Sequence, residues 1–410
     1  MTAALDLRPL RESPAFRRLW IGGTASATSS QLAQVAVLFS VWELTGSSVQ
    51  VGAVGLAAGL ATAVFGLVGG TLADRLERRR LVLCSGVAAA AAAVALAAAA
   101  AFGVRSALLV IVLVGVQTGC TSLGQAARRT FVGRLLGRER LGAGLALQQT
   151  GFQVAMFGGP ALGGIVLAAW GAQGAFAVDA VVTVAALHAV LRLPPMRPQG
   201  DGTPRSMLAG LRFLVGERAL RAALVVDLAQ TVLSMPIALF PAVNDARFGG
   251  DPRTLGLLLS AVAVGGIAAG LVSGPVGRTR RPGLVSLVAA GVWGLALAGF
   301  GLVGGLLPTL ASLAVAGAAD VFSVIARGTL IQLATPDAYL GRVTAVEYVV
   351  GAGAPGIGNA RAGLVAGFAG PELAAVTGGL ACALVVALCG IPRPLRSWTV
   401  PTGPDDHVTR

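Results

Sequence analysis

Within its long apolar stretches the chain carries a few residues able to hold charge. Asp227, Asp320, Glu347 and Arg361 fall inside such stretches; Asp179 and Glu43 lie nearer their ends. A charge in hydrocarbon is costly, so each is a functional candidate by default, the plainer reading being a structural ion pair or polar anchor. Carboxylates so placed can take up and release protons. Desolvation favours their neutral form and a neighbouring guanidinium favours the charged one, so the two influences together bring titration into a working range. Asp227 and Asp320 are the preferred proton sites, and Arg361 can pair with either or hold an anionic substrate. Asp179 and Glu347 complete the set of coupling candidates, although Glu347 lies close to the start of its stretch, where an anchoring role is natural.

Polar side chains also line up beside these charges. Asp227, Gln230, Thr231 and Ser234 repeat at helical spacing and share one face. Ser26, Ser29, Ser30, Gln31 and Gln34 form a second polar face, and Gln148, Gln149 and Gln153 a third. From these, Ser30, Gln34, Gln149, Gln153, Gln230 and Ser234 are candidate substrate-cavity residues; hydrogen bonding between helices is the alternative use. No clustered nucleophile, His pair, metal set or nucleotide-binding loop appears, so an enzyme and an ATP-driven pump are not expected, nor a cofactor. The four Cys (Cys84, Cys120, Cys382, Cys389) lack metal-ligand spacing and read as small buried apolar residues.

The elements that must position these groups are membrane spans. Of 410 residues, 55% are hydrophobic and 12% charged, about half the charge of an ordinary soluble chain. Apolar stretches near 20 residues recur, each long enough for a ~30 Å hydrocarbon core. Twelve are read: 17–43, 49–70, 81–102, 106–127, 141–168, 172–192, 219–243, 254–276, 283–303, 307–328, 341–367 and 372–391. Arg8, Arg11, Arg17 and Arg18 precede an Ala25-Ser26-Ala27 that resembles a signal-cleavage site. The apolar run continues to about Trp42, too long for a signal core, so an uncleaved first span is expected.

All 31 basic residues are Arg. With a cytoplasmic N-terminus and alternating spans, 27 of them fall on the cytoplasmic side, three (Arg105, Arg247, Arg253) outside, and Arg361 within a span. That asymmetry follows the positive-inside rule, and both termini are placed in the cytoplasm. The net charge of +13 therefore marks loops; no aromatic-interleaved basic surface points to nucleic acid. Residues 194–218 hold Pro194, Pro195, Pro198, Gly200, Gly202 and Pro204 and read as a linker. It separates an N-terminal bundle, 1–193, from a C-terminal bundle, 219–391, followed by a cytoplasmic tail, 392–410.

The two halves look related. Ala127-Arg128-Arg129-Thr130 parallels Ala326-Arg327-Gly328-Thr329, and the same offset carries Leu141-Gly142 onto Leu340-Gly341, Gly164 onto Gly363 and Gly171 onto Gly370. Duplicated bundles around a linker imply a carrier with its site near the midplane.

Between the second and third spans stands Gly70-x-x-x-Asp74-Arg75-x-x-Arg78-Arg79. It resembles the loop 2–3 signature of the major facilitator superfamily. The resemblance implies a cytoplasmic gate, with Asp74 near a helix N-terminus, whose partial positive charge attracts a carboxylate. The second-half copy, Gly274 to Arg281, lacks the Asp. On the fifth span, Gly158-Gly159-Pro160-Ala161-Leu162-Gly163-Gly164 is similar to the Gly-Pro-x-x-Gly-Gly motif of that superfamily's proton-driven exporters, where small residues allow close helix approach and Pro a bend. The Arg expected on the fourth span of drug:proton antiporters is absent from Leu113–Gly119, and Glu43-Leu-Thr45-Gly46-Ser47-Ser48 with the Arg-rich loop after span four looks more like the enterobactin-exporter-type branch.

The expectation is an all-α membrane protein of twelve transmembrane helices in two pseudo-symmetric six-helix bundles, the major facilitator fold. It would act as a monomer in a bacterial cell membrane, exporting a small organic molecule (drug, siderophore or natural product) by proton antiport through alternating access. The rivals are a proton-coupled uptake symporter and a non-transporting membrane sensor.

Overall fold

The computed structural model describes residues 6–193, 207–277 and 279–400; the side chains of Asp74, Arg138, Met207, Leu208, Ala209, Asp337 and Ala338 lie outside the described residues. Among the described residues the regular structure is all helix, without a strand. α1 (Pro14–Thr45) starts where Ser13 accepts a hydrogen bond from the Phe16 amide and Pro14 supplies a preset first-turn φ. It stops at Gly46, whose φ of 57° suits a residue without a Cβ. α2 (Ser48–Arg75), α3 (Arg78–Ala101), α4 (Ala107–Leu135) and α5 (Arg138–Leu191) follow. α5 is divided at Gly171, which takes φ 66° and ψ −175°, between the fifth and sixth spans read from the sequence.

α6 (Met207–Gly216) and α7 (Arg218–Leu228) come next. α7 loosens into a π turn at Ala229–Leu233, breaks at Ser234–Pro236, and resumes through a 3₁₀ turn into α8 (Phe240–Phe248). α9 (Pro252–Leu271), α10 (Pro282–Leu302), α11 (Leu306–Ala334), α12 (Asp337–Ala369) and α13 (Pro371–Gly390) complete the main elements, with single-turn helices at Arg8–Glu12, Gly274–Gly277 and Arg393–Arg396. Among the described residues nine helical segments are long and apolar enough to cross a membrane, α5 being one of them along its whole length. α1 and α12 have the length but not the hydropathy, because they carry the Ser/Gln face of the first and Glu347, Asn359 and Arg361 of the second.

Contacts gather the chain into two units. The first comprises Met1–Pro204 and Phe240–Ser260, the second Arg205–Leu239 and Ala261–Arg410. In the first, α1 runs along α5, α2 and α3 pack on α4, and α3 also meets α5. Its tightest seams are glycine-made: a Cβ at Gly69 of α2 would strike the Leu123 backbone of α4, and one at Gly163 the Leu32 carbonyl of α1. In the second, α10 packs on α11 and α13, and α12 on α6 and the π turn. There Gly265 of α9 and Gly317 of α11 each sit against the other helix's backbone, as small residues permit between membrane helices.

Of the stretch read as a linker, 194–206 lies outside the described residues, as does 401–410 of the tail. Residues 207–216 form α6, which is held by the Phe213 ring stacked on Tyr339 at 4.7 Å and by Gly210 seated on Arg342. The polar Pro/Gly composition that suggested a linker ends before Met207. Three helices also run well past their expected ends: α2 to Arg75, α4 to Leu135 and α11 to Ala334, so Arg75 and Arg128, read as loop residues, are helical, and Arg327, counted on the cytoplasmic side, lies two turns inside its helix.

Candidate functional site

The second unit holds a cluster of charge. Asp227, on the last turn of α7, is buried with 4% of its surface exposed. Its Oδ1 lies 2.7 Å from the Arg327 guanidinium on α11. Arg327 is itself buried, and its Nε stands 3.9 Å from Glu347 Oε1 on α12, without a hydrogen bond. Asp320, two turns before Arg327 on the same helix, lies within electrostatic reach of both Arg327 and Asp227. Helical side chains lean toward the N-terminus, which directs Arg327 back over Ser323 toward Asp320. One guanidinium thus serves carboxylates from three helices, and at closest range it can hold only one of them. That arrangement allows partner exchange when a carboxylate gains or loses a proton.

The local backbone explains how Asp227 is presented. Pro236 lacks an amide hydrogen and cannot continue the helix. The break after the π turn is stitched to α12 by Asn359: its Oδ1 accepts from the Ala238 amide (3.0 Å) and its Nδ2 donates to the Pro355 carbonyl (3.0 Å). Gly358 lets the Thr231 carbonyl come into direct contact. Discontinuous helices of this kind are a recurrent device at carrier sites. Gln230 and Ser234 are buried in this region: Ser323 Oγ donates to Gln230 Oε1 at 2.7 Å, and Trp293 Nε1 to Ser234 Oγ at 2.8 Å. Gln230 Nε2 has no partner. Arg361, on α12, lies against Gly378 of α13 with its Nε unpartnered.

The first unit holds a different carboxylate. Asp179, in the second part of α5, is 2% exposed. Its Oδ1 accepts from Ser29 Oγ of α1 (2.8 Å) and Thr183 Oγ1 (3.5 Å), and its Oδ2 from Gln117 Nε2 of α4 (2.8 Å). These donors are all neutral. Of the other polar candidates, Ser30 and Gln149 are exposed, and Gln34 and Gln153 half-buried.

The glycine motif of α5 works on two sides. Gly159 faces Gln31 and Thr28 of α1 and Gly163 faces Leu32, whereas Gly164 faces Pro252 and Arg253 at the start of α9. Gly256 of α9 returns the contact against the Pro160 carbonyl, and Ser260 Oγ donates to the Phe157 carbonyl at 3.1 Å. Gly158 faces open space. In the 70–80 segment, where α2 ends at Arg75 and α3 begins at Arg78, Gly70 is likewise uncrowded and Arg75 exposed, while Arg78 Nε reaches the Ala73 carbonyl (3.4 Å) and Arg79 the Leu191 carbonyl (2.5 Å).

Arg327, Ser323, Trp293, Asn359 and Gln117 had no assigned role in the sequence reading. For Arg327 a signal exists: it follows Asp320 by seven residues, hence on the same helix face.

A polytopic helical fold whose interior holds buried carboxylates, one of them paired with an Arg beside a broken helix, defines a membrane carrier. The family described as transmembrane secretion effector matches residues 4–407, and the chain belongs to that family, within the major facilitator superfamily. It is 31% identical over 385 residues to the enterobactin exporter EntS of Citrobacter koseri, covering 93% of this chain and 92% of the relative. Among solved structures it is similar to the nucleoside transporter NupG (TM-score 0.73, 13% identity, 92% of this chain and 98% of that one). The peptide transporter POT in complex with sulfate is likewise similar (TM-score 0.74, 14% identity, 95% and 96%). The chain is a multi-pass bacterial membrane transporter of small molecules rather than an enzyme.

Proposed function

We propose that this chain exports a siderophore-like small organic molecule by proton antiport through alternating access. The direction and substrate class rest on the secretion-effector family and on kinship with the enterobactin exporter. Proton coupling rests on one observation, the buried Asp227–Arg327 pair with Asp320 and Glu347 competing for the same cation. Protonation of Asp227 frees Arg327 for another partner, and the helix break beside Asp227 supplies a joint that can move. Asp179 and Arg361 are held as secondary candidates, Arg361 as an anion contact. In the same reading twelve spans form two six-helix bundles, 1–193 and 219–391, around a cytoplasmic connection, 194–218, that carries α6. Both termini are cytoplasmic and the chain works as a monomer. The 70–80 turn, with Gly70, Asp74, Arg75, Arg78 and Arg79, closes the cytoplasmic side, and the Gly158–Gly164 segment closes the opposite side by its seam with α1 and α9. Gln34, Gln153, Ser30, Gln149, Gln230 and Ser234 offer polar contacts to substrate.

The test is extrusion of enterobactin from cells, or its accumulation inside inverted vesicles. The expected result is transport driven by a pH gradient and abolished by an uncoupler. Undiminished extrusion without the gradient would remove proton coupling while leaving export in place.

A further inference from the structure

A cavity lies in the first unit, and none of the residues of the charged cluster lines it. It encloses about 450 Å³ where the end of α1 meets α8 and the α8–α9 connection. That volume suits a small organic molecule and is far larger than a bare metal ion requires. Its charged side chains are acceptors. Glu43, in the last turn of α1, and Asp245, on α8, bring two exposed carboxylates. Asn244, 2% exposed, backs this wall with a buried side-chain oxygen that has no hydrogen-bond partner. The orientation of that amide is set: Nδ2 donates to the Asp251 carbonyl at 3.0 Å, so the unpartnered Oδ1 is turned the other way. The Asn244 carbonyl is engaged as well, by the Gly250 amide at 3.1 Å, which fixes the residue on both sides.

The remaining wall is aromatic and apolar, formed by Trp42, Phe39 and Pro241. The C-terminal ends of α1 and α8 both turn into the cavity region, at Gly46 and at Gly249-Gly250, all three with positive φ. Helix C-termini carry partial negative charge, adding to the two carboxylates. Arg247 and Arg253, the Arg residues flanking this connection, are not among the lining residues. Two carboxylates beside an aromatic face favour a cation that carries N–H donors, since an ammonium group bonds to carboxylates and is attracted to the indole face.

We infer that this cavity is a binding site for small organic ammonium ions, separate from the charged cluster of the second unit. Phenethylammonium has the required charge, donors and ring, and phenethyl alcohol is its neutral counterpart. Binding of both to the purified full-length protein is measured by isothermal calorimetry at low salt. Phenethylammonium should saturate one site, and the alcohol should bind about tenfold more weakly or worse, the discrimination expected when a charge-assisted contact is lost. The Glu43→Gln/Asp245→Asn variant alters only exposed side chains and should lose about tenfold in ammonium affinity. Trp42→Leu should weaken binding as well. Equal binding of ammonium and alcohol, unchanged affinity in the double variant, or no saturable ammonium binding would each overturn the site. None of these readouts depends on transport, so they stand apart from the export proposal.

Discussion

Asp179 and Asp227 are both carboxylates buried to within a few percent, one in each unit, yet their surroundings are opposite. Asp179 is held by hydroxyl and amide donors on α1, α4 and α5, each with one good geometry. Asp227 is held by a cation that two further carboxylates can also approach. Neutral donors that converge on one acceptor tie helices together. A shared cation has alternatives, and alternatives are what a cyclic machine needs. The repeat sharpens the contrast. Arg128 and Arg327 occupy the same position in the two halves, but the offset of the Gly70–Gly274 copy sets Gly23, not a carboxylate, opposite Asp227. Only the second half has a carboxylate there for the duplicated Arg.

The hardest test of that contrast is Arg327→Gln. It leaves Asp227 without its counter-ion and should cost about 3–5 kcal/mol, the usual penalty for orphaning a buried charge. A lowered thermal midpoint of the purified protein reads it. The Asp227→Asn/Arg327→Gln double variant should melt above the single one, and strict additivity of the two changes would dissolve the pair as a unit. Next in size is Asp227→Asn, expected to fold but to lose gradient-driven extrusion by about tenfold or more, since a permanently neutral group cannot cycle a proton. Asp179→Asn should differ in kind. It disturbs one or two hydrogen bonds at about 1–2 kcal/mol and leaves the gradient dependence intact. Loss of coupling in Asp179→Asn, with coupling retained in Asp227→Asn, would reverse the assignment of roles. The smallest effect belongs to Trp293→Phe, which removes the bond to Ser234 Oγ and should cost about 1 kcal/mol in stability with transport unchanged.

Much of the architecture is readable from the chain because hydropathy acts locally. Each apolar stretch must satisfy its own backbone as a helix in lipid, so spans announce themselves one at a time. Gly171 and Gly370, paired by the repeat, both take positive φ at helix breaks, 66° and 88°. The candidate acids were legible for the same reason, being exceptions in apolar surroundings. Helix ends were not: α11 runs past Arg327 because its last turns pack within the unit, and polar residues that would end a span in lipid can continue a helix beyond it.

By itself the sequence determined the membrane class, the order of helices, the family and the short roster of buried acids. Composition and spacing suffice for each, since they depend on the residue and its near neighbours. Only the tertiary structure decided which acid meets a cation. Asp227 and Arg327 are a hundred residues apart, and the contact depends on how α7 and α11 turn their faces. It likewise decided that Asp179 is bound by neutral donors, that Asn359 bridges the broken helix, and that Glu43 and Asp245 share one cavity. Partnership between side chains distant in the chain is set by packing, and hydropathy carries no record of it.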